Sequence, residues 1–194
     1  MGSTTTLVDR DRGWTAMLDA AKEMARGAHA KVGILGNTDR GGLHQVDPET
    51  GRAADLTVAE IAVGNEFGTA DKHIPARPFV RPTFDRLREE LAQDAGKLLV
   101  KVVLDRTMTA EQALNILGLK LASAIRSYIV DGAGVPPPNA PSTLARKLAR
   151  GEWNAGHAKM GPRTLVDTGR MLSAIAWAVV VDGAEKAAHY VAGR

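Results

Sequence analysis

The spacing of apolar residues along the chain predicts two long helices in its middle. In residues 82–105 apolar side chains recur every three or four positions, which places them on one face of a helix. This stripe consists of Phe84, Leu87, Leu91, Ala95, Leu98 and Val102. Pro82 fits the first turn of such a helix. Proline lacks an amide proton, and the amides of the first turn have no hydrogen-bond acceptor within the helix.

A second long helix is expected to begin near Thr109, because Thr109 and Gln112 have the spacing of a capping box. Its apolar stripe is predicted to be Ala113 or Leu114, Leu117, Leu121, Ala124 or Ile125, and Tyr128. Only a few residues separate the two helices, so we expect them to pack as an antiparallel hairpin.

Shorter apolar stretches predict strands on either side of this hairpin. Residues 31–35 form a short β-prone segment, and residues 174–181 are apolar on both faces, as in a strand covered from both sides. The dipeptide at 182–183, Asp-Gly, is typical of a hairpin turn, and residues 187–191 are expected to return as a partner strand. These elements predict an α+β fold in which a small, mostly antiparallel sheet packs against two long antiparallel helices.

The remaining segments predict an extension and two projecting loops. Residues 1–30 are interpreted as an N-terminal extension with a short amphipathic helix over 14–28, and residues 31–194 as the main domain. Residues 39–55 hold three glycines and are expected to form a long loop or a hairpin. The second projecting loop is expected over residues 132–162, with a short basic helix over 142–150 inside it.

The amino-acid composition indicates the make-up of the core and excludes several classes of protein. Apolar residues make up 44% of the chain and aromatic residues only 4%, so the core should consist mainly of Ala, Val, Leu and Ile. The absence of cysteine excludes a disulfide framework and thiolate catalysis. The chain has no apolar run of about 18 residues and no secretory signal at its start, so we expect neither a membrane span nor a membrane partner.

No familiar catalytic or metal-binding pattern stands out. The five histidines lie far apart in the sequence, whereas metal-ligand pairs usually share one element. Asp167 opens a single Asp-Thr-Gly tripeptide, which is more often a turn than part of an aspartic-protease site. We therefore expect no catalytic residue, no metal and no cofactor. A hydrolase that uses Asp167 is the weakest of the functional alternatives.

Positive charge is concentrated in one part of the chain. The net charge is only +3, but residues 142–170 hold six basic and two acidic residues. Arg146, Lys147 and Arg150, with Trp153 nearby, could contact an acidic protein surface or nucleic-acid phosphate. The simpler alternative is a solvated basic loop. Together with a pI of about 9.3, this segment leaves a nucleic-acid-binding module open as an alternative function.

A stiff segment connects the predicted helix that begins at Thr57 to the long helix over residues 82–105. Thr57 and Glu60 have capping-box spacing, and that helix should stop at or before Gly68. Three prolines follow within residues 75–82, which predicts an extended connection.

Two aromatic and two basic residues mark this connection as a candidate contact region. Phe67 and Phe79 are apolar anchors at its ends, and Arg77 and Arg81 flank Phe79. Their guanidinium groups could pair with carboxylates such as Glu60 or Glu66. The region is either a brace within the domain or a surface that docks a neighbouring subunit, and the sequence alone leaves both open.

Four segments, taken in order, carry a family resemblance. They lie at 32–36, at 57–82, at 114–147 and at 165–175, and the strongest is the Asn-Glu-Phe-Gly-Thr block at 65–69 followed by Pro-Ala-Arg-Pro-Phe at 75–79. Together they resemble the head–tail joining, or tail-completion, proteins of the neck of tailed bacteriophages, also called virion morphogenesis proteins. Residues 1–30 and the enlarged 39–55 loop depart from that pattern.

The resemblance implies a structural protein of the virion, located at the head–tail interface and assembled in the bacterial cytoplasm. It implies a cyclic homo-oligomer, six copies matching tail symmetry, that contacts neck, connector or tail-tube proteins and passes double-stranded DNA. The candidate interface residues are then Phe67, Arg77, Phe79, Arg81, Arg146, Lys147, Arg150 and Trp153.

Overall fold

The computed structural model describes residues 14–35, 43–46, 53–70, 74–130, 135–150, 164–165, 169–181, 183–186 and 189–190. Within these ranges the chain is α+β, with six helices, a four-stranded antiparallel sheet and a separate antiparallel strand pair. The predicted fold class is therefore confirmed.

The elements follow one another in a simple order. The helices are α1 (Trp14–Ala25), α2 (Val58–Phe67), α3 (Arg81–Val103), α4 (Ala110–Val130), α5 (Pro141–Arg150) and α6 (Arg170–Ser173). The strands are β1 (His29–Ile34), β2 (Leu43–Val46), β3 (Ala53–Leu56), β4 (Ile175–Val181), β5 (Ala184–Glu185) and β6 (His189–Tyr190). The pairing of β2 with β3 resolves the alternatives for the 39–55 region in favour of a hairpin.

Strand β4 is the centre of the larger sheet. Strand β1 pairs with it antiparallel, from His29 opposite Val180 to Ile34 opposite Ile175. Strands β5 and β6 also pair antiparallel with β4. All seven residues of β4 are buried, as its uninterrupted apolar run predicts.

The predicted reversal after β4 is present. Val181 lies opposite Ala184, so the chain turns within two residues, and Gly183 has a φ of +74° that favours glycine. The predicted partner strand is present as β6.

Local hydrogen bonds start two of the helices where the sequence predicts. The Thr57 Oγ1 atom accepts a bond of 3.2 Å from the Glu60 amide, and a Glu60 carboxylate oxygen accepts one of 2.8 Å from the Thr57 amide. Thr109 and Gln112 make the same reciprocal pair at the start of α4. Both capping boxes are confirmed.

Helices α3 and α4 form the predicted hairpin. Leu98 and Val102 of α3 and Ala110 and Ala113 of α4 form a buried cluster, and Ala20 of α1 packs against it. Farther along, the Lys120 ammonium bonds to the carboxylates of Glu90 and Asp94. The apolar stripe of α3 is buried only in part: Phe84 was predicted to lie in it but is exposed.

Helix α4 packs on β4 and β1 with a face that overlaps the predicted stripe at Ile125 but is rotated from it toward Gly118 and Ala122. Its buried residues facing the main core are Ala122, Ile125 and Ile129, with Gly118 buried against Trp177, whereas Leu117, Leu121 and Tyr128 are only partly buried. A Cβ atom at Gly118 would overlap the Trp177 ring, so only glycine permits this approach. The Trp177 indole donates to the Asn115 side chain at 2.9 Å.

Helix α4 is also the one described helix that is long and apolar enough to cross a membrane, judged by length and composition alone. Within the described residues it contacts β4, β1 and α3. The side chains of Lys120 and Arg126 bond to partners within the chain.

Candidate functional site

A network of hydrogen bonds joins the end of α2 to the start of α3. We call this region the clasp and define it as residues 65–69 together with residues 74–81. It contains the sequence blocks that carry the family resemblance. Its geometry explains why those residue types occur there.

Glu66 is the centre of the clasp. Its side chain is buried, with only 6% of the residue exposed, although it lies in the last turn of a helix. One carboxylate oxygen accepts the Phe79 and Val80 amides at 2.7 and 3.0 Å, and the other accepts the Arg81 amide at 3.1 Å. Glu66 thus caps α3, which has no side-chain cap of its own at Val80.

The pKa of Glu66 reflects two opposing effects. Burial alone would raise the pKa, because it penalises the charged form. The hydrogen bonds from the Val80, Phe79 and Arg81 amides and from the Arg81 side chain outweigh burial, and the pKa lies below its ordinary value of 4.5. The carboxylate is therefore ionised at neutral pH and acts as a fixed acceptor.

Arg81 covers both Glu66 and Phe67. Its Nε atom donates to the Glu66 carboxylate at 3.0 Å, and its Nη2 atom donates to the Glu66 carbonyl at 3.1 Å. The guanidinium carbon lies 4.6 Å from the centre of the Phe67 ring, in cation–π geometry. The predicted pairing of Arg81 with Glu66 is confirmed.

Gly68 and Thr69, which end the Asn-Glu-Phe-Gly-Thr block, stabilise the turn between α2 and the proline-rich segment. Thr69 exchanges two hydrogen bonds with Ile74, one through its amide and one through its hydroxyl, each of 3.0 Å. Gly68 has a φ of +76°, and a Cβ atom there would lie 2.9 Å from the Ala76 nitrogen. Both observations require glycine at this position.

Arg77 connects the clasp to another part of the chain. It does not pair with a carboxylate as predicted: its Nε and Nη2 atoms donate to the carbonyls of Pro137 and Pro138 at 2.8 and 3.2 Å. Glu60 is already engaged in the capping box with Thr57. Burial lowers the pKa of Arg77 from its ordinary value. Arg77 thus holds the segment that leads into α5.

Phe79 is one of the largest fully buried side chains, with 2% of the residue exposed. It is an anchor of the domain's own core, so the expectation that it contacts a partner subunit is wrong for this fold. Phe67, by contrast, is 62% exposed. The two aromatic anchors therefore have different roles, one inside the domain and one on its surface.

The basic candidates of α5 are also divided. Arg146 is exposed, but Lys147 is buried, with 7% of the residue exposed. A buried lysine cannot form part of a solvated basic face, so its assignment as an interface residue is corrected. The side chain of Arg150 and the whole of Trp153 lie outside the described residues.

Apolar side chains are exposed around the clasp. Val63 and Phe67 lie one turn apart on α2, with exposed fractions of 58% and 62%. Phe84 lies one turn beyond Arg81 on α3 and is 48% exposed. We call Val63, Phe67, Arg81 and Phe84 the clasp face. Phenylalanine and arginine are both enriched at protein–protein interfaces, and the clasp face exposes both.

The described ranges contain no group of three or more His, Asp or Glu side chains that could hold a metal ion. Glu66, the buried carboxylate of the clasp, is saturated by donors from its own chain. Asp167, the weakest catalytic candidate, lies outside the described residues.

The capping role of Glu66 was not predicted, although a signal for it exists in the sequence. Val58, Ala62 and Glu66 follow one another at four-residue spacing, and all three are buried. A carboxylate that continues an apolar stripe must find donors, and a helix that begins with Arg-Pro needs an acceptor for its first amides.

Comparison of the chain with protein-family models, with curated proteins and with solved structures gives no match in any of the three. Functional inference for this chain therefore depends on its own residues and their geometry.

Proposed function

We propose that the chain is a structural subunit of a tailed-bacteriophage virion that joins the head to the tail, or completes the tail end that meets the head, as part of a ring. In this proposal it catalyses no reaction. Its activity consists of contacts with copies of itself and with neighbouring neck, connector or tail-tube proteins.

The observation that carries the proposal is the set of large apolar side chains exposed on a rigid frame. Aromatic residues make up only 4% of the chain, yet Trp14, Phe67, Phe84 and Tyr190 are each at least 40% exposed. Leu99 and Val100 on α3, Leu104 directly after it, and Ile116 and Leu119 on α4 are exposed as well. Where such side chains adjoin, as Val63 and Phe67 do one turn apart on α2, they are typical of protein–protein contact surfaces.

The clasp supports the same proposal, because it is built from the sequence blocks that resemble those of neck proteins. The residues of the Asn-Glu-Phe-Gly-Thr and Pro-Ala-Arg-Pro-Phe blocks, on which the resemblance to neck proteins mainly depends, hold one another in a fixed arrangement. A subunit that must fit several neighbours benefits from such pre-organisation, because little conformational entropy is lost on binding.

Two experiments test the proposal. Native mass spectrometry of the purified full chain, over a range of protein concentrations, should show a closed oligomer, with six copies expected from the resemblance. Deleting the coding sequence from the genome that carries it should yield DNA-filled heads and free tails, seen by electron microscopy, and a loss of infectious titre. Complete, infectious particles without the chain would overturn the proposal.

A further inference from the structure

Strand β1 lies at an edge of the larger sheet, and one of its two sides is open. It pairs with β4 on one side, and no strand within the described residues pairs with its other side. The strands across β4 are protected by their shortness, because β5 and β6 have two residues each. Strand β1 has six residues, so its open side is a ready template for a further strand.

The hydrogen bonds of β4 show which residues of β1 point outward. The Val179 carbonyl accepts the Lys186 amide at 2.8 Å, so the odd-numbered residues of β4 bond toward β5. The direction alternates along an antiparallel strand, so the even-numbered residues of β4 bond toward β1. Their partners in β1 are His29, Lys31 and Gly33. The other residues of β1 therefore direct their amides and carbonyls away from the sheet. We call them the β1 edge: Ala30, Val32 and Ile34.

The lysine of β1 does not guard this edge. A lysine on an edge strand usually opposes pairing with another chain. The Lys31 ammonium, however, bonds to the Glu185 carboxylate at 2.6 Å, and Glu185 lies on β5, across β4 from β1. The Lys31 side chain therefore extends over the sheet and does not cover the β1 edge.

The hairpin formed by β2 and β3 lacks a third strand. Among the described residues these two strands pair only with each other, over four residues each. A two-stranded hairpin is marginally stable at best in water, and a third strand is one way to stabilise it. Residues 35–42 connect β1 to β2. A connection of this length can span up to about 30 Å, which lets the hairpin reach a neighbouring subunit.

On the basis of the ring proposed above, we infer that the hairpin of one subunit adds to the β1 edge of the next copy. The hairpin extends the sheet, and β1 becomes the third strand that the hairpin lacks. Both halves of this pairing occur in one chain, so a second copy supplies what each half needs. The contact joins two unlike parts, so every added subunit leaves one open edge and one unpaired hairpin until a ring closes.

Ala30→Pro tests the β1 edge. Proline removes an outward-pointing amide, and an edge strand tolerates proline where the amide has no partner within the sheet. The variant should be monomeric by native mass spectrometry and keep the circular dichroism spectrum of the wild type. Lys31→Pro is the matched control, because it removes an amide that bonds to β4. It should melt at a clearly lower temperature than Ala30→Pro.

A second variant tests the hairpin. A Gly-Ser linker of equal length replaces residues 36–56, so the β1 edge and Thr57, the cap of α2, remain. This linker variant should also be monomeric. Ala30→Pro subunits keep the hairpin and linker-variant subunits keep the β1 edge, so an equimolar mixture should form 1:1 dimers and no larger ring.

Amide hydrogen exchange at single-residue resolution gives a readout of the edge itself. In the monomeric linker variant the amides of the β1 edge should exchange faster than those of Lys31 and Gly33, which bond to β4. In the wild-type ring the amides of the β1 edge should become protected as well. Fast exchange at the β1 edge in the assembled ring would refute the pairing.

The possible failures are distinguishable. A ring that persists in Ala30→Pro or in the linker variant, or two monomeric variants that form no dimer on mixing, would refute the pairing and leave the ring itself standing. A wild-type chain that stays monomeric at every concentration would overturn the proposed function and the pairing with it.

Discussion

The clasp and the interface between α4 and β4 hold the chain together by opposite means. In the clasp a buried carboxylate collects three backbone amides and a guanidinium. In the helix–sheet interface the contact is apolar, and its closest approach is Gly118 against the Trp177 ring. The first depends on satisfied hydrogen bonds and the second on shape, so they should respond differently to substitution and to pH.

The largest effect is expected from Glu66→Ala in the clasp. The substitution leaves three amides at the start of α3 and the Arg81 guanidinium without their acceptor, which should lower the free energy of unfolding by about 3 kcal/mol or more. Urea denaturation measures the loss. Glu89→Ala, at an exposed position of α3, is the control and should change the stability little. Equal losses in both variants would contradict the capping role.

Gly118→Ala should destabilise the helix–sheet interface by about 2 kcal/mol, because the added methyl group forces the Trp177 ring or the helix to move. Gly96→Ala is the matched control: Gly96 also lies within a helix, but a Cβ atom added there would meet nothing within 4 Å outside its own stretch of helix. This second substitution should stabilise the chain by up to about 1 kcal/mol through helix propensity. Thermal denaturation should show a lower melting temperature for Gly118→Ala and an unchanged or higher one for Gly96→Ala. That result would confirm that packing against Trp177 causes the difference between the two variants.

The pH dependence of stability separates the two regions further. The folded pKa of Glu66 lies below its ordinary value of 4.5, so its contribution to stability is complete above that value and is lost as the pH falls through the folded pKa. Unfolding free energies measured from pH 7 to pH 3 should fall less steeply in Glu66→Gln than in the wild type. The profile of Gly118→Ala should run parallel to that of the wild type.

The smallest effect is expected where a polar contact faces solvent. Hydrogen bonds between Lys120 and Asp94 raise the pKa of the lysine and lower that of the carboxyl group. Lys120→Met should nevertheless reduce the melting temperature only slightly, because ion pairs that remain partly open to solvent contribute little and salt screens them. The difference from the wild type should shrink further in high salt. A loss comparable to that of Glu66→Ala would contradict the distinction between buried and exposed pairs.

The features that the sequence predicted correctly are local ones. Both capping boxes join residues three positions apart, and the apolar run of β4 with its Asp-Gly turn contains the whole signal within a few residues. Such patterns determine the start of a helix or the existence of a strand before any tertiary contact forms. The fold class followed from them.

The features that only the tertiary structure decided depend on distant partners. Glu66 becomes a cap because residues 79–81 return to it, and Arg77 bonds to carbonyls some sixty positions away. Phe67 and Phe79 look alike in the sequence, yet one is exposed and the other buried. Helix α4 has glycine at position 118 because the Trp177 ring occupies the space there, whereas Ile125 and Ile129 fill the core farther along the helix. Sequence periodicity places side chains on a face, but the neighbours that fill the space determine which face becomes the core.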